Sequence, residues 1–455
     1  MKLTYNVEDR PKLGQTLVFA LQQLLAILAA TIAVPAIIGN GMSQSAALFG
    51  AGVGTIVYLL FTKFKSPVFL GSSFAFIGSM FAAFGGAASA SLGYLGLIIG
   101  AVFAGLVYVV IAIVVKFAGV KWINKLMPAV VIGPTVAIIG LSLAGNAVGD
   151  LSKGNVTHLV DGVETQNASV YVCLLCGLLT LAVTMLCSVY GKKMIKMIPF
   201  IIGIASGYAL AAIFTVIGNA ANIEALQIIN FDGFKSMQWY PDFTFLKAFN
   251  GFGEITPQFI ATVAVAYIPV AFVVFAEHIA DHKNLSSIIE KELLEDPGLH
   301  RTLLGDGVGS IAGAFFGGCP NTTYGESVGC VAISGNASIT TIFTTAILAI
   351  ASAFIAPFTT FLATIPSCVM GGVCIALYGF IAVSGLKMIQ SVDLGDNKNL
   401  FVVSVILIAG VGGLTVSFGA VTLTEVACAL ILGILTNLML SCKKNKSDDT
   451  VSEDK

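Results

Sequence analysis

Charge is what this sequence lacks. Only 10% of its 455 residues are Asp, Glu, Lys or Arg, with 24 acidic against 23 basic. An average soluble protein carries about 25%, so no folded surface of this size could be covered with charge. Basic residues occur only as short loop clusters, which excludes nucleic acid as a partner. Histidine is scarce at four and no His-Glu-x-x-His occurs, so no enzyme is expected. The nine cysteines lie mostly inside apolar runs and form no disulfide framework. Cys173 and Cys176 make a Cys-x-x-Cys without a second pair or a His beside it, so no metal or cofactor is expected there. The stretch from Met1 to Lys12 is polar, with Glu8 and Asp9, unlike a cleavable signal peptide; the first apolar span would serve as the insertion signal.

What the chain has instead is hydrophobicity. Apolar residues make up 57% of it and the mean hydropathy is +0.94. Runs of about 20 residues with few charges recur throughout, which predicts an all-α polytopic protein with a lipid bilayer as its solvent. Breakers divide the runs into fourteen spans, near 15–38, 46–62, 67–84, 93–116, 128–147, 169–189, 197–218, 258–282, 302–318, 323–335, 338–357, 366–386, 400–418 and 421–441. With an even count both termini share a side. That side collects all but Lys153, Lys235 and Lys247 of the 23 Lys and Arg, which is 20 of 23. By the positive-inside rule it is the cytoplasm.

The halves 1–219 and 257–441 each hold seven spans, followed by a polar cytoplasmic tail, 442–455. Seven is odd, so a seven-plus-seven duplication must be inverted in the membrane. In each half the third span is the broken one: Ser66-Pro67-Val68-Phe69-Leu70-Gly71-Ser72-Ser73-Phe74, and Cys319-Pro320-Asn321-Thr322-Thr323-Tyr324-Gly325-Glu326. Paired breaks at matching positions point to a mid-membrane site of the secondary-transporter kind, because non-helical backbone survives there only against protein or a cavity.

Few ionisable residues lie inside spans, and each is informative. Glu277 and Glu326 would cost about 2.5–3.5 kcal/mol apiece at a helix centre, so each must face a cavity, pair or carry a proton. Half-helices meeting at mid-membrane also leave backbone N–H groups without partners. Two carboxylates beside two sets of donors suit a small neutral heterocycle with alternating N–H and C=O groups. Two glutamates would repel an anion.

Asp281 lies one turn after Glu277 and shares its face, which fits a proton path or a solvated helix end. His278 and His282 have ligand-like spacing, although a hydrogen-bonded role fits a helix end better than a metal. Asp306 reads as the start of the ninth span, Glu425 as interfacial, and Gln22 and Gln23 as hydrogen-bonding across helices.

At these residues the chain resembles the nucleobase–ascorbate transporter (nucleobase–cation symporter) family, and within it the uracil permease branch. The resemblance rests on Ala276-Glu277-His278-Ile279-Ala280-Asp281-His282, Asp296-Pro297-Gly298-Leu299-His300-Arg301, Pro320-Asn321-Thr322-Thr323-Tyr324-Gly325-Glu326 and Leu70-Gly71-Ser72-Ser73-Phe74-Ala75-Phe76. It implies fourteen segments, with a core domain of segments 1–4 and 8–11 and a gate domain of 5–7 and 12–14. It also implies short antiparallel strands in segments three and ten.

By the same resemblance Glu277 and Glu326 would bind the N–H edge of uracil, and the backbone N–H groups of Phe74 and Gly325 its carbonyls. Ala30 and Tyr324 would line the pocket. Glu277, with Asp281 or His278 as relay, would couple import to protons in a homodimer of the bacterial inner membrane. A purine (xanthine or urate) carrier and an anion exchanger of the same fold are the alternatives. The chain departs from the family pattern where Ser327 stands in place of the usual Asn, where Ser334-Gly335 ends the signature in place of Thr followed by Arg, Lys or Gly, where Gln23 stands for a common His, and where Asp281 stands for the His of some uracil permeases.

Overall fold

The computed structural model describes residues 3–119, 128–160, 163–192, 194–418 and 421–441. The loop charges expected at Lys121, Lys125 and Lys193 and the tail 442–455 lie outside the described residues. The first half of the chain contains α1 (Leu13–Ile38), α2 (Gln44–Phe61), β1 (Leu70–Ser72), α3 (Ile77–Gly85), α4 (Ala90–Ala118), α5 (Ala129–Ser142), α6 (Ala144–Asp150), a hairpin of β2 (Thr157–Val160) and β3 (Val163–Gln166), α7 (Val170–Tyr190) and α8 (Pro199–Ala221). The second contains α9 (Pro257–Ile289), α10 (Leu299–Gly317), β4 (Asn321–Thr323), α11 (Gly325–Ser334), α12 (Ile339–Ser352), α13 (Ala356–Ala363), α14 (Ser367–Ile389), α15 (Asn397–Val411), a hairpin of β5 (Val416–Phe418) and β6 (Val421–Leu423), and α16 (Glu425–Ser441).

Among the described residues eight helices are long and apolar enough to cross a bilayer, or nine if α12 and α13 count as one span. The chain is therefore a mostly helical, multi-pass membrane protein. The straight eleventh span expected over 338–357 is bent instead: α12 and α13 meet at 82°. Ala353, Phe354 and Ile355 break the helix, and Pro357 sits in the first turn of α13, where proline is tolerated. The hairpins β2–β3 and β5–β6 lie outside the all-α expectation, since each strand is too short to show a period of two in the sequence.

The two broken segments do what their glycines and prolines require. β1 and β4 pair antiparallel, with Leu70 opposite Thr323, Gly71 opposite Thr322 and Ser72 opposite Asn321. Backbone polar groups at this depth are thus bonded to each other rather than to lipid. Ser73 N–H extends the ladder to Pro320 O at 2.9 Å, and each strand then turns into a short helix. A Cβ on Gly71 would overlap the ring of Tyr324, so only glycine lets these strands pair with Tyr324 in place.

A crossing of α2 and α10 supports the pair. Gly50 and Gly54 face Gly305, Gly309, Gly313 and Gly317, all at four-residue spacing. A Cβ on Gly54 would come within 2.7 Å of Gly309 O. Small residues at such spacing let helix backbones approach closely in a membrane. The Asn321 amide fits into this crossing and donates to Gly50 O at 3.1 Å, which fixes the start of β4.

Candidate functional site

α9 carries Glu277 and Asp281 one turn apart, so both side chains leave the helix on one face. That face meets the N-terminus of α11, where Gly325 and Glu326 begin the helix. The two surfaces line a cavity of about 320 Å³ together with Val136, Phe200, Leu377, Phe380, Ile381, Ser384 and Met388. A narrower cavity of about 40 Å³ continues inward past Glu277, Gly325 and Glu326 to Phe74, Ile139, Thr322, Thr323 and Tyr324. Both carboxylates therefore stand at the junction of the two spaces.

Two helix starts converge on the same place. A 3₁₀ turn over Phe74–Phe76 follows β1, and its preceding residue Ser73 makes no side-chain cap. α11 opens at Gly325 after Tyr324, again without a side-chain cap. The first N–H groups of a helix have no partner within it, so the N–H groups of Phe74 and Gly325 are available as donors, backed by the positive ends of two helix dipoles. Gly325 has no side chain to cover its own N–H, and a Cβ there would lie 3.8 Å from Asp281 Oδ1. The result is acceptors and donors side by side in a mostly apolar space, an arrangement that orients a small polar ligand.

The remaining expected residues sort as follows. Asp281 lines the larger cavity and accepts a hydrogen bond from Thr323 Oγ1 at 2.8 Å, which ties it to β4. Tyr324 lines the smaller cavity, and its hydroxyl donates to Ser72 O at 2.8 Å. Phe74 packs edge-on against Tyr378, with ring centroids 5.9 Å apart. Ala30 is buried within α1 and is not among the residues lining either cavity.

His278 points the other way from Glu277. It is fully buried between α9 and α10, with Nδ1 2.7 Å from Asp306 Oδ2 and Nε2 2.9 Å from Thr302 Oγ1. Its ring stacks on His282 at 4.0 Å, and His282 Nε2 lies 2.6 Å from the Tyr58 hydroxyl. Asp306 is thus a buried residue inside α10, not the start of a span, because His278 provides the partner that a buried carboxyl needs. This polar cluster holds α9 to α10 behind the site and leaves the other face of α9 to Glu277 and Asp281.

Sequence reasoning missed the opposite wall: Phe200 of α8 and Phe380, Ile381, Ser384 and Met388 of α14. Phe380 and Ile381 sit in an apolar run, Phe200 follows Pro199 and Met388 follows Lys387 at helix ends, and nothing in their spacing distinguishes a cavity wall from a lipid face. Ser384, a lone hydroxyl between Val383 and Gly385, was the one available signal.

The sequence model of a permease family matches residues 14–418. The uracil permease of Bacillus caldolyticus is 36% identical over 459 residues, covering 99% of this chain and 98% of its own length. The chain belongs to the nucleobase–ascorbate transporter family of permeases. Among other relatives in this family, the uracil permease of Bacillus subtilis (strain 168) is 37% identical over 457 residues, covering 99% of this chain and 98% of that protein. The uracil permease of Escherichia coli (strain K12) is 35% identical over 436 residues, covering 95% and 93%. These relatives are permeases rather than enzymes.

Two solved structures share the fold. The transmembrane domain of the cyanobacterial bicarbonate transporter BicA superposes with a TM-score of 0.62 at 16% identity, covering 96% of this chain and 99% of that one. The murine anion transporter Slc26a9 in its inward-facing state gives 0.64 at 12% identity, covering 96% and 69%. At such identities the likeness concerns the fold alone.

Two departures from the family's usual residues touch each other. Gln23 of α1 donates through Nε2 to Ser327 Oγ at 2.5 Å, and Phe69 N–H donates to the same oxygen at 3.0 Å. All three residues are buried. Ser327 directly follows Glu326, so this node fastens the start of α11 both to α1 and to the residue before β1.

Proposed function

We propose that this nucleobase–ascorbate transporter family member imports uracil, or a closely related pyrimidine, by proton symport across the bacterial cell membrane. One observation carries the reading: Glu277, Glu326 and two uncapped helix starts meet at one cavity, in a chain whose near-full-length relatives are uracil permeases. A pyrimidine edge offers N–H donors to the two carboxylates and C=O acceptors to the N–H groups of Phe74 and Gly325. Tyr324 would close the deep end of the pocket; Ala30, behind it, would set its shape through packing.

In this reading the helices and broken segments make fourteen spans in two inverted repeats, 1–219 and 257–441. α1 to α4 and α9 to α12 form the core, and the remaining spans the gate. Both termini, including the tail 442–455, face the cytoplasm, and two copies form a homodimer. Glu277 binds substrate in its protonated form and releases its proton with the substrate into the cytoplasm. Asp281, one turn along the same cavity wall, is the better-placed relay; His278, committed to Asp306 and Thr302, acts on Glu277 by holding α9.

The test is uptake of radiolabelled uracil in cells lacking their own carrier, with and without a protonophore. Excess unlabelled uracil, thymine, xanthine, urate and sulfate would be added in turn. Protonophore-sensitive uptake blocked by uracil alone, and lost in Glu277→Gln, is the expected result. Block by xanthine would move the assignment to a purine carrier, and block by sulfate to an anion exchanger of the same fold.

A further inference from the structure

Glu425 reads from sequence as an interfacial charge, since it opens the last helix. The structure adds what lies beside it. A third, small space of about 10 Å³ lies between α3 and α16, bounded by Phe74, Ala75, Gly78, Ile139, Thr424 and Glu425, among others. Phe74, Ala75 and Ile139 also bound the small cavity that holds Glu277 and Glu326. One layer of side chains therefore separates the site from Glu425.

The two sides of the site differ in width. The large cavity extends toward Phe200, near the start of α8, and Met388, at the end of α14. The small space lies toward the end of α5 and the start of α16, at Ser142, Leu143 and Glu425, which by the alternation of spans is the opposite face. At its centre is Gly78, where a methyl group would stand 3.9 Å from Thr424 Cγ2 and 4.0 Å from Glu425 Oε1. A larger side chain has no room while the seam is shut. Glu425 is partly buried there, with Oε1 on the side of α3.

We propose that the seam between α3 and α16 is the outer entrance to the site, and that Glu425 is the carboxylate a nucleobase meets before Phe74 and Ile139 part. The proposal rests on the transport function above. Glu425 accepts an N–H of the incoming heterocycle, as Glu277 and Glu326 do deeper in, so the substrate exchanges one acceptor for the next. Gly78 allows the seam to close completely behind it. Because the open cavity is on the other face, binding from that side does not involve Glu425.

The experiment compares uracil uptake kinetics with equilibrium binding of radiolabelled uracil to the purified full-length protein. Glu425→Gln raises the KM for uptake by about tenfold, the cost of one lost charge-assisted hydrogen bond, while the Kd at the inner site stays near that of wild type. Glu425→Asp, which keeps the carboxylate, recovers most of the loss. Gly78→Leu binds uracil but no longer accumulates it, since the seam cannot close over the new side chain. An unchanged KM in Glu425→Gln, or Gly78→Leu transporting like wild type, overturns the proposal. A KM that rises only in step with Kd also overturns it, because the effect would then belong to the inner site. Wild-type protein that neither binds nor carries uracil would overturn the functional reading instead.

Discussion

Removing the Ser327 hydroxyl tests how the site is held. Ser327 Oγ accepts from Phe69 N–H at 3.0 Å and from Gln23 Nε2 at 2.5 Å; Gln23 Nε2 has one other, longer bond, to Ser327 O at 3.3 Å. In Ser327→Ala the buried Phe69 N–H is orphaned and the Gln23 amide keeps only its longer bond. A buried donor without a partner costs about 1–3 kcal/mol, so the total is about 2–4 kcal/mol. Gln23→Leu alone leaves Phe69 still bonded to Ser327 and costs about 1 kcal/mol. In the double variant no Gln23 donor remains to be orphaned, so its cost falls about 1 kcal/mol short of the sum, within the range seen for residues in contact. Unfolding midpoints of the four purified proteins give the cycle, and uracil affinity reports on the neighbouring Glu326. Additive effects, or Ser327→Ala melting with wild type, would refute the reasoning.

Gly71→Ala forces the Tyr324 ring away from β1 and breaks its bond to Ser72 O. Overpacking of about 1–3 kcal/mol then appears as weaker uracil binding with the protein still folded, measured by equilibrium binding beside a melt. Asp306→Ala removes one of the two buried partners of His278 and lowers stability by about 1–3 kcal/mol, whereas Asp306→Asn keeps a hydrogen bond and loses less; fluorescence-detected melting in detergent separates the two.

The architecture was legible wherever a physical demand leaves a mark along the chain. Apolar runs announce spans because lipid admits little else, and Ser66-Pro67 and Cys319-Pro320 announce breaks because a proline removes a backbone donor. Glu277 and Glu326 stood out because a carboxylate is costly in an apolar run. Relations between distant positions left no such mark. Gln23 and Ser327 are 304 positions apart and meet only because β1 pairs with β4. His278 and Glu277 are adjacent in sequence yet leave α9 about 100° apart, and only the packing of α10 decides that His278 goes to Asp306. The bend between α12 and α13 was missed because Ala353-Phe354-Ile355 is as apolar as the helices beside it. That Glu425 lies beside Gly78 left no mark either, because only the packing of α16 near α3 brings the two together.

The central claim is that two carboxylates at the junction of α9 and α11 bind a pyrimidine and couple its entry to protons. Uptake of radiolabelled uracil by wild type and Glu326→Gln, each with and without a protonophore, tests it most directly. The account predicts accumulation by wild type that collapses with the protonophore, is blocked by excess uracil but not by xanthine, and is absent in a well-expressed Glu326→Gln. Undiminished uphill uptake by Glu326→Gln would contradict it.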